Sequence, residues 1–118
     1  MPHAEGHPVF YFHGFASAIP RDFAESPKIT AVADWAARKG RAFLPQNVDY
    51  REAPRRSREL LDGIGDDVDD VIFCGASMGG WFARIMQLLL ARARPGLPIA
   101  AVVFNPAFNL AELRMRQV

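Results

Sequence analysis

Val71-Ile72-Phe73-Cys74-Gly75-Ala76-Ser77-Met78-Gly79-Gly80-Trp81-Phe82 decides how the rest of the chain is read. Four consecutive apolar residues, Val71 to Cys74, predict a strand buried on both faces. From Trp81 to Ala93 the residues Phe82, Ile85, Met86, Leu88, Leu89 and Leu90 predict an apolar-faced helix. Between strand and helix lies a tight turn, 75–80, with the pattern Gly-x-Ser-x-Gly. A bare match is weak, because glycine and serine are common. Its place directly after an apolar strand and directly before a helix gives it weight. A strand that reverses into a helix within about two residues strains the backbone at the serine. Side chains two residues to either side would clash, so both places want glycine, and Gly75 and Gly79 hold them. Gly80 adds room. The Ser77 hydroxyl then stands above the sheet. The Met78 amide lies at the positive end of the helix, where an oxyanion would be stabilised.

Outward from this turn, the pattern repeats. Val9-Phe10-Tyr11-Phe12 predicts a buried strand ended by His13-Gly14, and a loop runs on to about Ser26-Pro27. Ser26 as N-cap and Pro27 at the first position open a helix with Ile29, Val32, Ala33, Trp35 and Ala36 on its apolar face. Gly40 stops it. Ala42-Phe43-Leu44 predicts a short strand closed by Pro45, and 46–56 a polar loop. Ser57 caps a second helix containing Leu60, Leu61 and Ile64, ended by Gly63 and Gly65. Ile99 to Phe104 predicts a fourth strand, ended by Asn105-Pro106, with a last helix starting in 110–115. Strand and helix alternate throughout. The fold class is therefore α/β, with a mostly parallel sheet, right-handed crossovers and helices on both faces. Ligands in such folds bind beyond the carboxyl ends of the strands, which singles out His13-Gly14-Phe15, Asp49, Ser77-Met78 and Asn105.

The chain has 118 residues, 50% hydrophobic and 23% charged, which suits a single domain over 1–118. Fourteen basic residues against 13 acidic give a net charge of +1, so no general attraction to nucleic acid or an anionic membrane is expected. One cysteine excludes an internal disulfide framework and a multi-cysteine metal site. Met1 to Gly6 has no leader-like pattern. Arg84, Arg92 and Arg94 interrupt the best apolar helix, which falls short of the roughly 20 apolar residues of a membrane span. A cytoplasmic protein is expected. The run 66–70 lacks the spacing of a calcium loop and reads as a solvated connection. His3 and His7 are expected in solvent, and Cys74 as a buried small hydrophobe. Trp81 and Phe15 suit either an acyl pocket or plain core. Asp49 reads as a solvated loop residue, and Arg55, Arg56 and Arg58, beside Glu52 and Glu59, as a solvated face.

Phe12-His13-Gly14-Phe15-Ala16-Ser17, Gly75-Ala76-Ser77-Met78-Gly79-Gly80 and Asn105-Pro106-Ala107 together resemble the α/β-hydrolase superfamily, most of all small bacterial esterases of the YqiA type. The resemblance implies that Ser77 is the nucleophile and that the amides of Phe15 and Met78 form the oxyanion hole. His13, Gly14, Gly75, Gly79 and Gly80 would support the elbow and the neighbouring loop. The implied reaction is hydrolysis of a small carboxylic ester or thioester through an acyl-enzyme, with no cofactor and no metal.

One departure matters as much. The family order is serine, then acid, then histidine. After Ser77 there is neither histidine nor aspartate, only Glu112, and His3, His7 and His13 all precede the serine. A truncated hydrolase core, incomplete at its C-terminus, is therefore expected. A serine hydroxyl without a base is a poor nucleophile near neutral pH. Oxyanion hole and binding alone can leave about 10³–10⁴-fold over water. His13 is the one histidine expected near the serine, and acting as base would take it from its loop. Ile99, Val102, Val103 and Phe104 would form an exposed apolar edge, open to pairing with a second copy of the chain. The alternative function is a catalytically incompetent hydrolase-like domain that serves binding or interaction. A phosphate-cradling turn in an unrelated fold is a third reading, although neither Gly-x-x-x-x-Gly-Lys-Ser/Thr nor Gly-x-Gly-x-x-Gly occurs.

Overall fold

The computed structural model describes residues 4–13 and 27–106. The expectations for Gly14, Phe15, Ser26, the loop between them, His3 and the last helix lie outside the described residues. The elements are, in order, β1 (Ala4–Gly6), β2 (Val9–Phe12), α1 (Pro27–Arg38), β3 (Phe43–Gln46), a 3-10 turn (Tyr50–Glu52), α2 (Ala53–Asp62), β4 (Ile64–Val68), β5 (Val71–Ser77), α3 (Met78–Ala93) and β6 (Ile99–Pro106). β3, β2, β5 and β6 form, in that order, a four-stranded sheet parallel throughout. β1 and β4 form a separate parallel pair.

Every residue of β2 is buried, because the strand is central and covered on both faces. Alternate side chains go to opposite sides. Phe10 and Phe12 join Phe73, Leu60, Phe82, Met86 and Leu90 in the layer beneath α2 and α3. Val9, Tyr11 and Cys74 meet Ile29 and Ala36 of α1 on the other face. Aromatic rings dominate the first layer, with Phe10 and Phe73 stacked at 5.5 Å and Phe12 meeting Phe82 edge-on at 4.8 Å. Gly40, at φ 67, is the left-handed stop of α1, and the Arg41 amide closes back on the Ala36 carbonyl at 2.8 Å.

The strand order reverses between β2 and β5. From β2 the chain crosses to β3 on one side, and from β3 it returns past β2 to β5 on the other. Right-handed crossovers then put α1 on one face and α2 and α3 on the opposite one, and in folds with such a reversal the ligand crevice lies outside the carboxyl ends of the flanking strands, here β2 and β5. His13 and Ser77 stand at those two ends.

Several boundaries differ from the sequence reading. The strand predicted at Ala42–Leu44 runs on through Pro45 and Gln46; among the described residues it is an edge strand, where a proline costs no internal ladder bond. α2 begins at Ala53, with Pro54 in its first turn, and Ser57 is an interior residue rather than a cap. Its hydroxyl donates back to the Pro54 carbonyl at 2.8 Å. Asp49 does the capping, for the 3-10 turn, by accepting from the Arg51 amide at 3.1 Å. Gly65 lies in β4 rather than ending α2. Part of the acidic run belongs to that strand, since Ile64 and Val68 turn inward and leave Asp66 and Asp67 to solvent. The expected six-residue serine turn has no length of its own: β5 runs to Ser77 and α3 starts at Met78.

Candidate functional site

Ser77 has φ 55 and ψ −122, the one non-glycine residue with positive φ among the described residues. At this junction the peptide direction changes from strand to helix in a single residue. A serine before a helix ordinarily accepts a hydrogen bond from the first-turn amides. Ser77 makes no such cap bond, because its ψ turns the side chain away from them. Its hydroxyl has no hydrogen-bond partner among the described residues. The Met78 amide is the first of α3, one of the four that a helix cannot satisfy from within.

The glycines around Ser77 are dictated by contact. A Cβ on Gly75 would fall within 3.0 Å of the backbone of Gly79 and Gly80, so strand and helix touch across the turn. A Cβ on Gly79 would fall within 3.0 Å of the carbonyl groups of Phe12 and His13, so the first turn of α3 lies directly on the end of β2. On Gly80 it would meet Val103 Cγ1 of β6 at 2.5 Å. Three backbones thus converge at the turn, and none leaves room for a methyl group.

His13 forms the opposite wall of the crevice. Its Nε2 lies 2.8 Å from the Val48 carbonyl. A carbonyl only accepts, so Nε2 carries the proton. The His13 carbonyl in turn accepts the Tyr50 hydroxyl. Tyr50 packs its ring between His13, at 5.4 Å, and Phe82 of α3, at 5.9 Å. Burial pushes the Tyr50 phenol well above its ordinary pKa, with the nearby Tyr11 adding to the shift, so the hydroxyl stays a neutral donor. Residues 48–50 therefore clasp His13 from both its ring and its backbone. Sequence reasoning placed Val48 and Tyr50 in a polar loop and missed this clasp. The available signal was a lone tyrosine beside a valine in an otherwise polar stretch.

The remaining candidates lie apart from the crevice or are otherwise engaged. Asp49 is bound to the Arg51 guanidinium at 3.0 Å, and that side-chain hydrogen bond holds its carboxyl below the usual range. Arg55 pairs with Glu52 and Glu59, and Arg56 with Glu59 at 3.2 Å and Gln46 at 2.5 Å. Cys74 is buried, and burial pushes its thiol up to about 12. Asn105 and Pro106 fall within β6, where Pro106 stands opposite Ser77. His7 is half-exposed and lies at the other end of the sheet, where its Nδ1 is 3.0 Å from Asp70 Oδ1. The same carboxylate takes the Arg41 guanidinium at 2.8 Å. No group of three or more possible metal-binding His, Cys, Asp or Glu side chains occurs among the described residues. No helix among them is long and apolar enough to cross a membrane.

A parallel α/β sheet whose strand order reverses beside a glycine-packed strand–serine–helix turn fits the α/β-hydrolases as a class. A family model matches residues 8–117 of the chain. The chain belongs to that family, described as an uncharacterised protein family, UPF0227; this is the YqiA-type family, known as esterase-like. No curated protein and no solved structure matches the chain.

Proposed function

We propose that the protein is a serine hydrolase of the esterase or thioesterase type, acting through an acyl-enzyme on Ser77. The observation that carries this reading is Ser77 itself, held at φ 55 with its hydroxyl unused by the helix it precedes. The support is the reversal of strand order between β2 and β5, the Met78 amide at the start of α3 and the family to which the chain belongs.

On this reading Ser77 Oγ attacks the carbonyl carbon of a small ester or thioester. Its proton leaves with the alcohol or thiol, and the acyl group stays on Oγ. Water then attacks the acyl-enzyme and releases the acid, restoring the serine hydroxyl. The developing oxyanion is met by the Met78 amide at the positive end of α3 and, by family resemblance, by the Phe15 amide. No cofactor or metal takes part, nucleic acid and membrane are not partners, and the setting is the cytoplasm. His13 supports the loop rather than serving as base, because its Nε2 proton is given to Val48. β6, the sheet edge among the described residues, would pair with a second copy.

The test is hydrolysis of p-nitrophenyl butyrate by the 118-residue chain beside Ser77→Ala. Turnover that disappears in the variant is the expected result, and equal rates in the two proteins would overturn the reading. A second reading, a hydrolase-like domain that binds without turning over, is favoured by one observation: His13 gives its Nε2 proton to the Val48 carbonyl rather than to Ser77. Equal rates would favour that reading.

A further inference from the structure

α2 and α3 lie on the same face of the sheet and leave a groove of about 370 Å³ between them. That volume lies near the lower end of the range for small-ligand sites, which is roughly 300–1,000 Å³. Trp81, Ile85 and Leu89 form one wall, four residues apart along a single stripe of α3. The stripe is about 12 Å long at 1.5 Å per residue. Pro54 and Leu61 of α2 face it. Ser57 also lines the groove, but its hydroxyl is already given to the Pro54 carbonyl.

One lining residue is charged. Arg55 and Arg56, its neighbours on α2, are tied to Glu52 and Glu59. Arg58 has no hydrogen bond or ion pair among the described residues, and it borders the groove. A slot with apolar walls and one unpaired guanidinium is complementary to a chain with an apolar body and an anionic head.

We propose that this groove binds a medium-chain aliphatic carboxylate, its alkyl chain along Trp81, Ile85 and Leu89 and its carboxylate on Arg58. Ser77 is not among the residues that line the groove, so the proposal does not rest on chemistry there. A neutral alkane or alcohol of the same length would satisfy the walls but leave the guanidinium to solvent. A second copy of the chain seated in the groove would need a carboxylate of its own for Arg58.

The test is calorimetric titration of the whole chain with decanoate, beside decyltrimethylammonium as a probe of opposite charge. Saturable binding of decanoate, not matched by the cation, is expected. Arg58→Gln should weaken it about fivefold, the worth of one exposed charge-assisted contact. Leu89→Gln, on the half-buried rim, should weaken both probes. Ser77→Ala should bind decanoate as the parent does, so a failed hydrolase reading leaves this one standing. Equal affinity for the two probes, or indifference to Arg58→Gln, would overturn the proposal. So would a dimer in sedimentation that Leu89→Gln dissolves, because the groove would then hold a second copy.

Discussion

Replacing Ser77 by glycine should stabilise the protein. The residue sits at φ 55 and ψ −122, a conformation that L side chains rarely adopt. Holding a non-glycine residue in such a region costs of order 1–3 kcal/mol. Glycine escapes that cost but gains freedom in the unfolded chain, which takes back about 0.4–1 kcal/mol. Alanine keeps the strain and lacks the hydroxyl, so it is the reference. Since the Ser77 hydroxyl caps nothing, Ser77→Ala should lie close to the parent. Ser77→Gly should then exceed Ser77→Ala by about 1 kcal/mol, or about 4 °C in Tm for a domain of this size. Urea unfolding of the three proteins, followed by far-ultraviolet circular dichroism, reads the difference. If Ser77→Gly were less stable than Ser77→Ala by the unfolded-state term alone, no strain would be stored at the turn. The backbone at Ser77 would then give no ground for a chemical role of its hydroxyl.

Other outcomes are equally definite. Tyr50→Phe removes the donor to the part-buried His13 carbonyl and should cost about 0.5–1.5 kcal/mol in urea unfolding, the net worth of an ordinary hydrogen bond. A cost near zero would show that the carbonyl finds another partner. Cys74 is 3% exposed and its thiol is pushed up to about 12, so it should resist a disulfide reagent at pH 8 until urea unfolds the chain. Rapid labelling of the native protein would contradict the packing of β5. Val102 is 42% exposed on β6, the sheet edge among the described residues, so Val102→Lys should weaken concentration-dependent association in sedimentation velocity. A parent chain monomeric at every concentration would refute that.

The sheet was legible because its central strands are covered on both faces, which forces runs such as Val9-Phe10-Tyr11-Phe12 and Val71-Ile72-Phe73-Cys74 to be apolar without a break. Gly40 was legible because a left-handed helix stop leaves a glycine at a fixed place. β1 and β4 left no such trace. Ala4-Glu5-Gly6 has no apolar pattern, and β4 hides its two inward residues among aspartates, so only the distant pairing of the two segments defines them. At the start of α2 a local rule misled. Ser57 has the right chemistry for a cap, but Pro54 fits the first helical turn and starts the helix earlier. The clasp on His13 depends on contacts 35 and 37 residues apart in sequence, beyond the reach of any local pattern.

Most contacts around Ser77 suit a working hydrolase and an inert scaffold equally well. Gly75, Gly79 and Gly80 let three backbones meet, and Tyr50 holds the end of β2 against α3; both raise stability whether or not any ester is cleaved. Freeing the His13 ring would sacrifice its bond to Val48, worth about 0.5–1.5 kcal/mol, so the histidine too is placed for structure before chemistry. Ser77 is the exception. A domain that only needed a tight strand-to-helix turn would be better served by glycine there, which adopts φ 55 without strain. The serine adds no helix cap in return for its strain. What it adds is a hydroxyl at the end of β5 that is not spent on the helix, and the strain carried for that hydroxyl is the physical ground for preferring the catalytic reading over the inert one.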